Sequence, residues 1–177
     1  KQFKFNDKKY DKLSNHIGKI PLVMITPLDS GIILGGGDER RRFMDRLLSQ
    51  LDNKYLYDLM SYNKILQQRN SLLKEFNGGS SHVNLLSTYD TALSDYGNKI
   101  YLKRKESTSM IINNVQEYYT FIAKQNEQVN IIYKSQLENI SFEDALHQNR
   151  EKDKVLTFTS TGIHRDDFIF ELNSNSL

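Results

Sequence analysis

Apolar positions recur at helical spacing through the middle of this chain and alternate with polar ones near its two ends. Residues 1–5, KQFKF, place Phe3 and Phe5 on one face, as an exposed or edge strand does. A charged stretch from Asn6 to Lys12 follows, and His16-Ile17-Gly18 reads as a turn into the short apolar run Ile20–Ile25. That run predicts a buried strand with Pro21 at its start, where a missing N–H does least harm. Thr26-Pro27-Leu28-Asp29 breaks it, and Gly31 and the triplet Gly35–Gly37 make a joint before the next element.

From Asp38 the period becomes helical. Phe43, Leu47 and Leu51, with Met44 and Leu48 beside them, form an amphipathic stripe, and Asp38 and Glu39 suit the helix start. A second helix is predicted over about 55–76, with Leu59, Tyr62, Leu66, Leu73 and Phe76 on one side, ended by Asn77-Gly78-Gly79. A third begins near Ser81: Leu86, Tyr89, Leu93, Tyr96 and Ile100 follow 3,4 spacing, and the pattern resumes at Ile111, Val115 and Ile122. No proline interrupts residues 81–125, and Gly97 is the weak point. Two long helical regions joined by a short turn predict an antiparallel pair, a protruding arm.

Beyond the arm, Val129, Ile131 and Tyr133 alternate as a strand. Ser141 with Asp144 makes a capping-box-like helix start, and that helix runs to about Lys154. Val155–Thr159 reads as strand-like. Thr161–Asp167 is a compact turn, and Phe168, Phe170 and Leu172 alternate as a last strand. The fold class is therefore α+β. Both ends read as sheet pieces short of partners, which predicts the middle piece of a discontinuous domain.

Composition narrows the function. The chain has 177 residues with 24 basic and 22 acidic side chains, so any nucleic-acid contact must come from local patches. There are no cysteines, no apolar run of membrane-spanning length and no secretory leader pattern, which points to a cytoplasmic protein. The glycine triplet lacks the Lys-Ser/Thr of a phosphate-binding loop. No nucleophile elbow and no set of metal ligands at workable spacing is present, so neither a catalytic residue nor a metal site is assigned.

The binding candidates are basic. Arg40, Arg41, Arg42 and Arg46 form the densest cluster, read either as phosphate contacts or as a solvated helix face paired to Asp38, Glu39 and Asp45. Lys103-Arg104-Lys105 reads alone as a solvated face of the arm, or, taken with Lys99, as the extension of a basic stripe along it. His164-Arg165-Asp166-Asp167 sits in a turn beside strands, where functional residues collect. Arg69 stands between Leu66 and Leu73, a position that favours a structural role.

Four segments in order resemble the RecF family of recombination and replication-repair proteins, which is related to the SMC-type ATPases. HIGKIPLVMITPLD (residues 16–29) is similar to the family's His-Ile-Gly, apolar strand, Ser-Pro-x-Asp segment, with Thr26 in place of Ser. ERRRFMDRLLSQLDNKYL (39–56) resembles its Arg-Arg-Arg-Phe-Leu-Asp segment, and YNKILQQRNSLLK (62–74) its Tyr-Asn-x-x-Leu-x-x-Arg-Asn segment. GIHRDDFIF (162–170) resembles Gly-Pro-His-Arg-Asp-Asp, with Ile163 for the proline. The glycine triplet is a further local departure, and the overall flavour is nearest to Bacteroidetes versions.

The resemblance implies an ABC-ATPase-like P-loop head interrupted by the arm: residues 1–37 and 126–177 as head strands, 38–125 as arm. It implies ATP and Mg²⁺ in the intact protein, whose Walker and signature motifs lie outside this segment, so no cofactor and no catalysis are expected of the segment itself. It further implies double-stranded or gapped DNA, RecO and RecR as partners in RecA loading, and a homodimer of the intact protein. Arg40, Arg41, Arg42, Arg46, Arg69, His164 and Arg165 are then the expected DNA-facing residues. The alternative is a protein-interaction or dimerisation arm of another SMC-like ATPase.

Overall fold

The computed structural model describes residues 3–20, 22–76 and 78–177. Lys1, Gln2, Pro21 and Asn77, which carry parts of the predicted first strand, second strand and helix cap, lie outside the described residues. The chain opens with a small hairpin of β1 (Lys4–Phe5) and β2 (Lys8–Lys9), turned by Asn6 and Asp7 in left-handed conformations. Asn and Asp tolerate that region and match the twist of a two-residue turn.

The apolar run before the arm is not a buried strand. Leu22, Val23, Met24 and Ile25 belong to no regular element and are exposed, Ile25 at 86%. Among the described residues no strand lies beside them to complete a ladder, and without a neighbour an apolar run has neither hydrogen-bond partners nor a face to bury against. The glycine joint is more ordered than predicted, since α1 (Gly31–Leu34) forms a single helical turn.

Three helices follow: α2 (Gly37–Leu51), α3 (Asn53–Lys74) and α4 (Ser80–Ala123). Asp52 separates α2 from α3 and caps α3, accepting from the N–H groups of Lys54 and Tyr55 at 2.9 and 3.2 Å. Such a cap satisfies donors that the first helical turn leaves open. α4 is one unbroken helix of 44 residues, straight through Gly97. That glycine is a contact, not a break: a Cβ there would collide with the Phe142 ring and lie 3.3 Å from Tyr62 Cε2.

β3 (Val129–Lys134) leads through a 3-10 turn to α5 (Phe142–Leu156), whose start is capped by Ser141 accepting from the N–H of Asp144 at 3.1 Å. Val155 and Leu156, read as strand from their β-branched and apolar character, finish α5 instead, and Thr157 ends it in the left-handed conformation. Helix continuation from a capped start overrides local strand preference here. β4 (Asp167–Leu172) pairs antiparallel with β3, Tyr133 opposite Phe168, and with β5 (Asn175–Ser176), giving the order β3-β4-β5.

The long helices are antiparallel, and they share buried clusters with the elements packed around them. Leu48, Tyr55, Tyr62, Leu93, Ile100, Phe142, Leu146 and Ile163 belong to one buried cluster drawn from α2, α3, α4, α5 and the turn before β4. Met44, Ile131, Tyr133 and Phe168 form a second, where the sheet packs on α2 and the far half of α4. The turn at Gly162 is therefore locked into the helical core.

Candidate nucleic-acid interface

The basic residues singled out from sequence separate into two groups. In the first, the charge is already engaged. Arg40 makes a two-pronged pair with Asp167, at 2.8 and 2.9 Å, and donates to the carbonyl of Gly35 at 2.8 Å. That pairing holds the Asp167 carboxyl below its usual range and raises the arginine. Arg41 donates to the backbone carbonyl of Asp166 and pairs with Asp38. The start of α2 is thus tied to the start of β4 by two guanidinium groups.

Arg69 is fully buried in α3. Its Nε donates to Asp90 of α4 at 2.6 Å, and its Nη1 donates to Asp153 of α5 at 2.8 Å and to the Thr159 hydroxyl at 2.9 Å. Arg150 balances Asp90 from the other side at 2.6 Å. Arg69 is therefore corrected from a DNA-facing residue to the tie between three helices. Solvent phosphate cannot reach it, and a buried guanidinium persists only where carboxylates neutralise it.

His164 is half-buried, and both of its ring nitrogens are engaged. Its Nε2 lies 3.0 Å from the carbonyl of Thr159, which only the protonated nitrogen can satisfy, so Nδ1 accepts from the Tyr62 hydroxyl at 2.8 Å. Burial pushes the imidazole down from its ordinary 6.5 to about 4, outweighing the carbonyl contact that favours protonation. It is neutral at physiological pH and is corrected from phosphate contact to fastener of the turn.

In the second group the charge is free. Arg42 and Arg46 stand exposed one turn apart on α2, and no carboxylate partner is found for either among the described residues. Arg165 is exposed at the turn, its guanidinium 5.3 Å above the Phe158 ring. These three retain full capacity for phosphate.

Sequence reasoning missed the centre of the assembly. Arg104, read as part of a solvated face, is buried within α4. It donates to Asp45 of α2 at 2.9 and 3.1 Å and to the carbonyl of Ile163 at 2.7 Å, and it lies 3.5 Å from Asp166. Tyr55 and Tyr133 close the cluster through their hydroxyls, to Asp45 and Asp166 respectively. Burial works against the arginine's charge, but the surrounding Tyr55 and Asp45 outweigh it, and its pKa is raised. Burial raises Asp166, against hydrogen bonds from Tyr133 and Ser135 that pull it down. The signal was present: Arg104 follows Ile100 by one turn on the stripe that also holds Leu93, so its position is a core position. Among the described residues no cluster of metal-ligating side chains occurs, and no helix is long and apolar enough to cross a membrane.

No family model matches the chain. Known proteins do. The DNA replication and repair protein RecF of Parabacteroides distasonis is 46% identical over 167 residues, 94% of this chain and 45% of that protein. The RecF of Flavobacterium johnsoniae is 42% identical over 178 residues, covering 100% of this chain and 50% of its own. Among solved structures, the recombination mediator protein RecF-ATPrS in the RecFOR pathway superposes with a TM-score of 0.89 at 29% identity, covering 97% of this chain and 48% of that one. The RecF-ATP form gives 0.87 at 29% identity, with 99% and 49% covered.

A mixed helix-and-strand fold with a long antiparallel helical pair, shared with these proteins, defines the class as part of an ABC-type ATPase head with its helical insertion. Over the residues it shares with them, the chain belongs to the RecF family. It spans about half the length of the curated relatives it matches.

Proposed function

We propose that this chain is the arm-bearing segment of a RecF-like DNA-binding ATPase, and that it presents Arg42, Arg46 and Arg165 to the phosphates of double-stranded or gapped DNA. The observation that carries this reading is the division of the arginines. Arg40, Arg41, Arg69 and Arg104 are committed to carboxylates and carbonyls inside the chain, whereas Arg42, Arg46 and Arg165 are exposed without such partners among the described residues. A basic side chain kept out of internal pairing is available for counterion release on DNA.

The segment's role is to carry that surface and hold its geometry. ATP and Mg²⁺ binding, homodimerisation, and work with RecO and RecR in loading RecA in the cytoplasm belong to the longer protein. The segment itself turns over no nucleotide, because the phosphate-binding lysine and Mg²⁺-binding residues that phosphoryl transfer requires are not among its motifs. Phosphate release above a protein-free blank would overturn that part.

The test of the DNA reading is anisotropy of a labelled gapped duplex titrated with the full-length protein. Replacing Arg42, Arg46 and Arg165 with alanine weakens binding across unrelated sequences alike. Equal affinity for the triple variant and the parent would refute the assignment.

A second reading, a protein-docking arm, draws on one observation. Met110, Tyr118, Phe121 and Ile122 are exposed along the last turns of α4, Phe121 at 79%. Light scattering of the parent and a Phe121→Ser/Ile122→Ser variant tests it, with loss of a dimer as the supporting result and an unchanged monomer as the refuting one.

A further inference from the structure

Of Arg42, Arg46 and Arg165, only Arg165 is set over an aromatic ring among the described residues, its guanidinium 5.3 Å from the centre of the Phe158 ring. No hydrogen bond or ion pair engages its side chain among the described residues. The two carboxylates that follow it in sequence are taken: Asp166 lies against Tyr133 and Arg104, and Asp167 pairs with Arg40. Phe158 belongs to no buried cluster among the described residues and stays exposed. The backbone beside both side chains is nevertheless pinned from within. Thr159 is buried, and its N–H and hydroxyl donate to Asn70 Oδ1 at 2.8 and 2.7 Å. Its carbonyl accepts from His164 Nε2 at 3.0 Å, and the N–H of Arg165 donates to the carbonyl of Gly162 at 2.8 Å. The Thr159–His164 bond thus ties together the residues next to Phe158 and Arg165, and the ring and the guanidinium meet over fixed backbones.

We propose that Phe158 is a positioning residue for Arg165, its ring holding the guanidinium ready for a DNA phosphate; this rests on the reading of Arg165 as a phosphate contact. A free arginine side chain gives up rotamer freedom when it clasps a phosphate, and one already held gives up less. A carboxylate would hold it as well, but would offset the charge that attracts phosphate. A ring face draws the cation electrostatically, leaves its charge whole and takes none of its N–H donors. The two arginines at this junction differ in that respect: Arg40 is clamped by Asp167 for the fold, whereas Arg165 rests on a ring with its charge uncompensated.

The test is a mutant cycle read by anisotropy of a labelled intact duplex and a labelled gapped duplex, each titrated with the full-length protein. The variants are Phe158→Leu, Phe158→Tyr, Arg165→Ala and Phe158→Leu/Arg165→Ala, and circular dichroism checks that each keeps its helix. Phe158→Leu is expected to weaken binding by about two- to fivefold on both DNAs, the worth of an exposed cation–ring contact. Phe158→Tyr, which keeps the ring face, binds as the parent does. The double variant binds no more weakly than Arg165→Ala alone, which a general structural role for Phe158 would not give. If Arg165→Ala binds like the parent, the phosphate reading fails and the proposal with it. If Arg165→Ala is weakened but Phe158→Leu is not, the positioning role alone is overturned. It is overturned too by a Phe158→Leu loss that persists in full beside Arg165→Ala, or by one confined to the gapped duplex, since the ring would then stack on an unpaired base.

Discussion

Arg104, in the middle of the 44-residue helix, donates at 2.7 Å to the backbone carbonyl of Ile163, in the turn that carries His164 and Arg165. The middle of α4 and the turn are therefore joined by a charge with almost no access to water. Removing the guanidinium leaves Asp45 with its pairing gone and Asp166 buried without its cation. Arg104→Ala is expected to lower unfolding free energy by about 3–5 kcal/mol in urea melts, the cost of breaking a buried ion pair. A loss below about 1 kcal/mol, the range of exposed pairs, would show that the pair is solvated.

Gly97 supplies a prediction whose sign opposes helix propensity. In an exposed helix, Gly→Ala gains about 1 kcal/mol. Here the added methyl meets the Phe142 ring, which is itself fully buried. Gly97→Ala is expected to cost about 1–3 kcal/mol, the usual penalty for overpacking. Pairing it with Phe142→Leu, which opens space beside the new methyl, should recover part of the loss relative to Phe142→Leu alone. Calorimetry of the four proteins closes the cycle, and a more stable single variant would contradict the contact.

The half-buried His164 gives the fold an acid-side weakness. Its folded pKa, about 4, lies below the 6.5 of the unfolded chain. The unfolded state therefore takes up a proton first as pH falls, and stability is lost between about 6.5 and 4, by at most about 3 kcal/mol. Asp166 acts in the opposite sense: its raised pKa lets the folded state take up a proton before the unfolded one, so its contribution favours folding as pH falls. Asp167, held low by Arg40, loses its contribution only on the acid side of its ordinary 3.8. The difference in urea midpoint between the parent and His164→Gln isolates the histidine. It should shrink as pH falls from 6.5 to 4, and a difference that stays flat would place the imidazole in solvent.

Much of the fold was legible because its signals are local. The 3,4 stripe through Leu86, Leu93 and Ile100 marks α4, the Ser141 cap marks α5, and alternation at Ile131 and Tyr133 marks β3. The failures have a common cause, in that each needed a partner distant in sequence. Leu22–Ile25 has strand composition but no adjacent strand among the described residues, and composition cannot supply one. Gly97 looks like a helix breaker until Phe142 is placed against it. Within the site, the basic cluster at Arg40–Arg46 was visible, but its division was not. Whether an arginine is free depends on Asp167, 127 positions away from Arg40, and the buried pairing of Arg104 with Asp45 spans 59. Charge runs show where arginines lie; only packing shows which are left for a ligand.

That division is tested most directly by the slope of log binding constant against log salt for a DNA duplex and the full-length protein carrying this segment. With Arg42, Arg46 and Arg165 changed to alanine, the slope should become shallower by about 3, close to one unit for each phosphate contact removed, with the melting temperature unchanged. A triple variant that keeps the parent's slope would mean that these exposed arginines touch no phosphate.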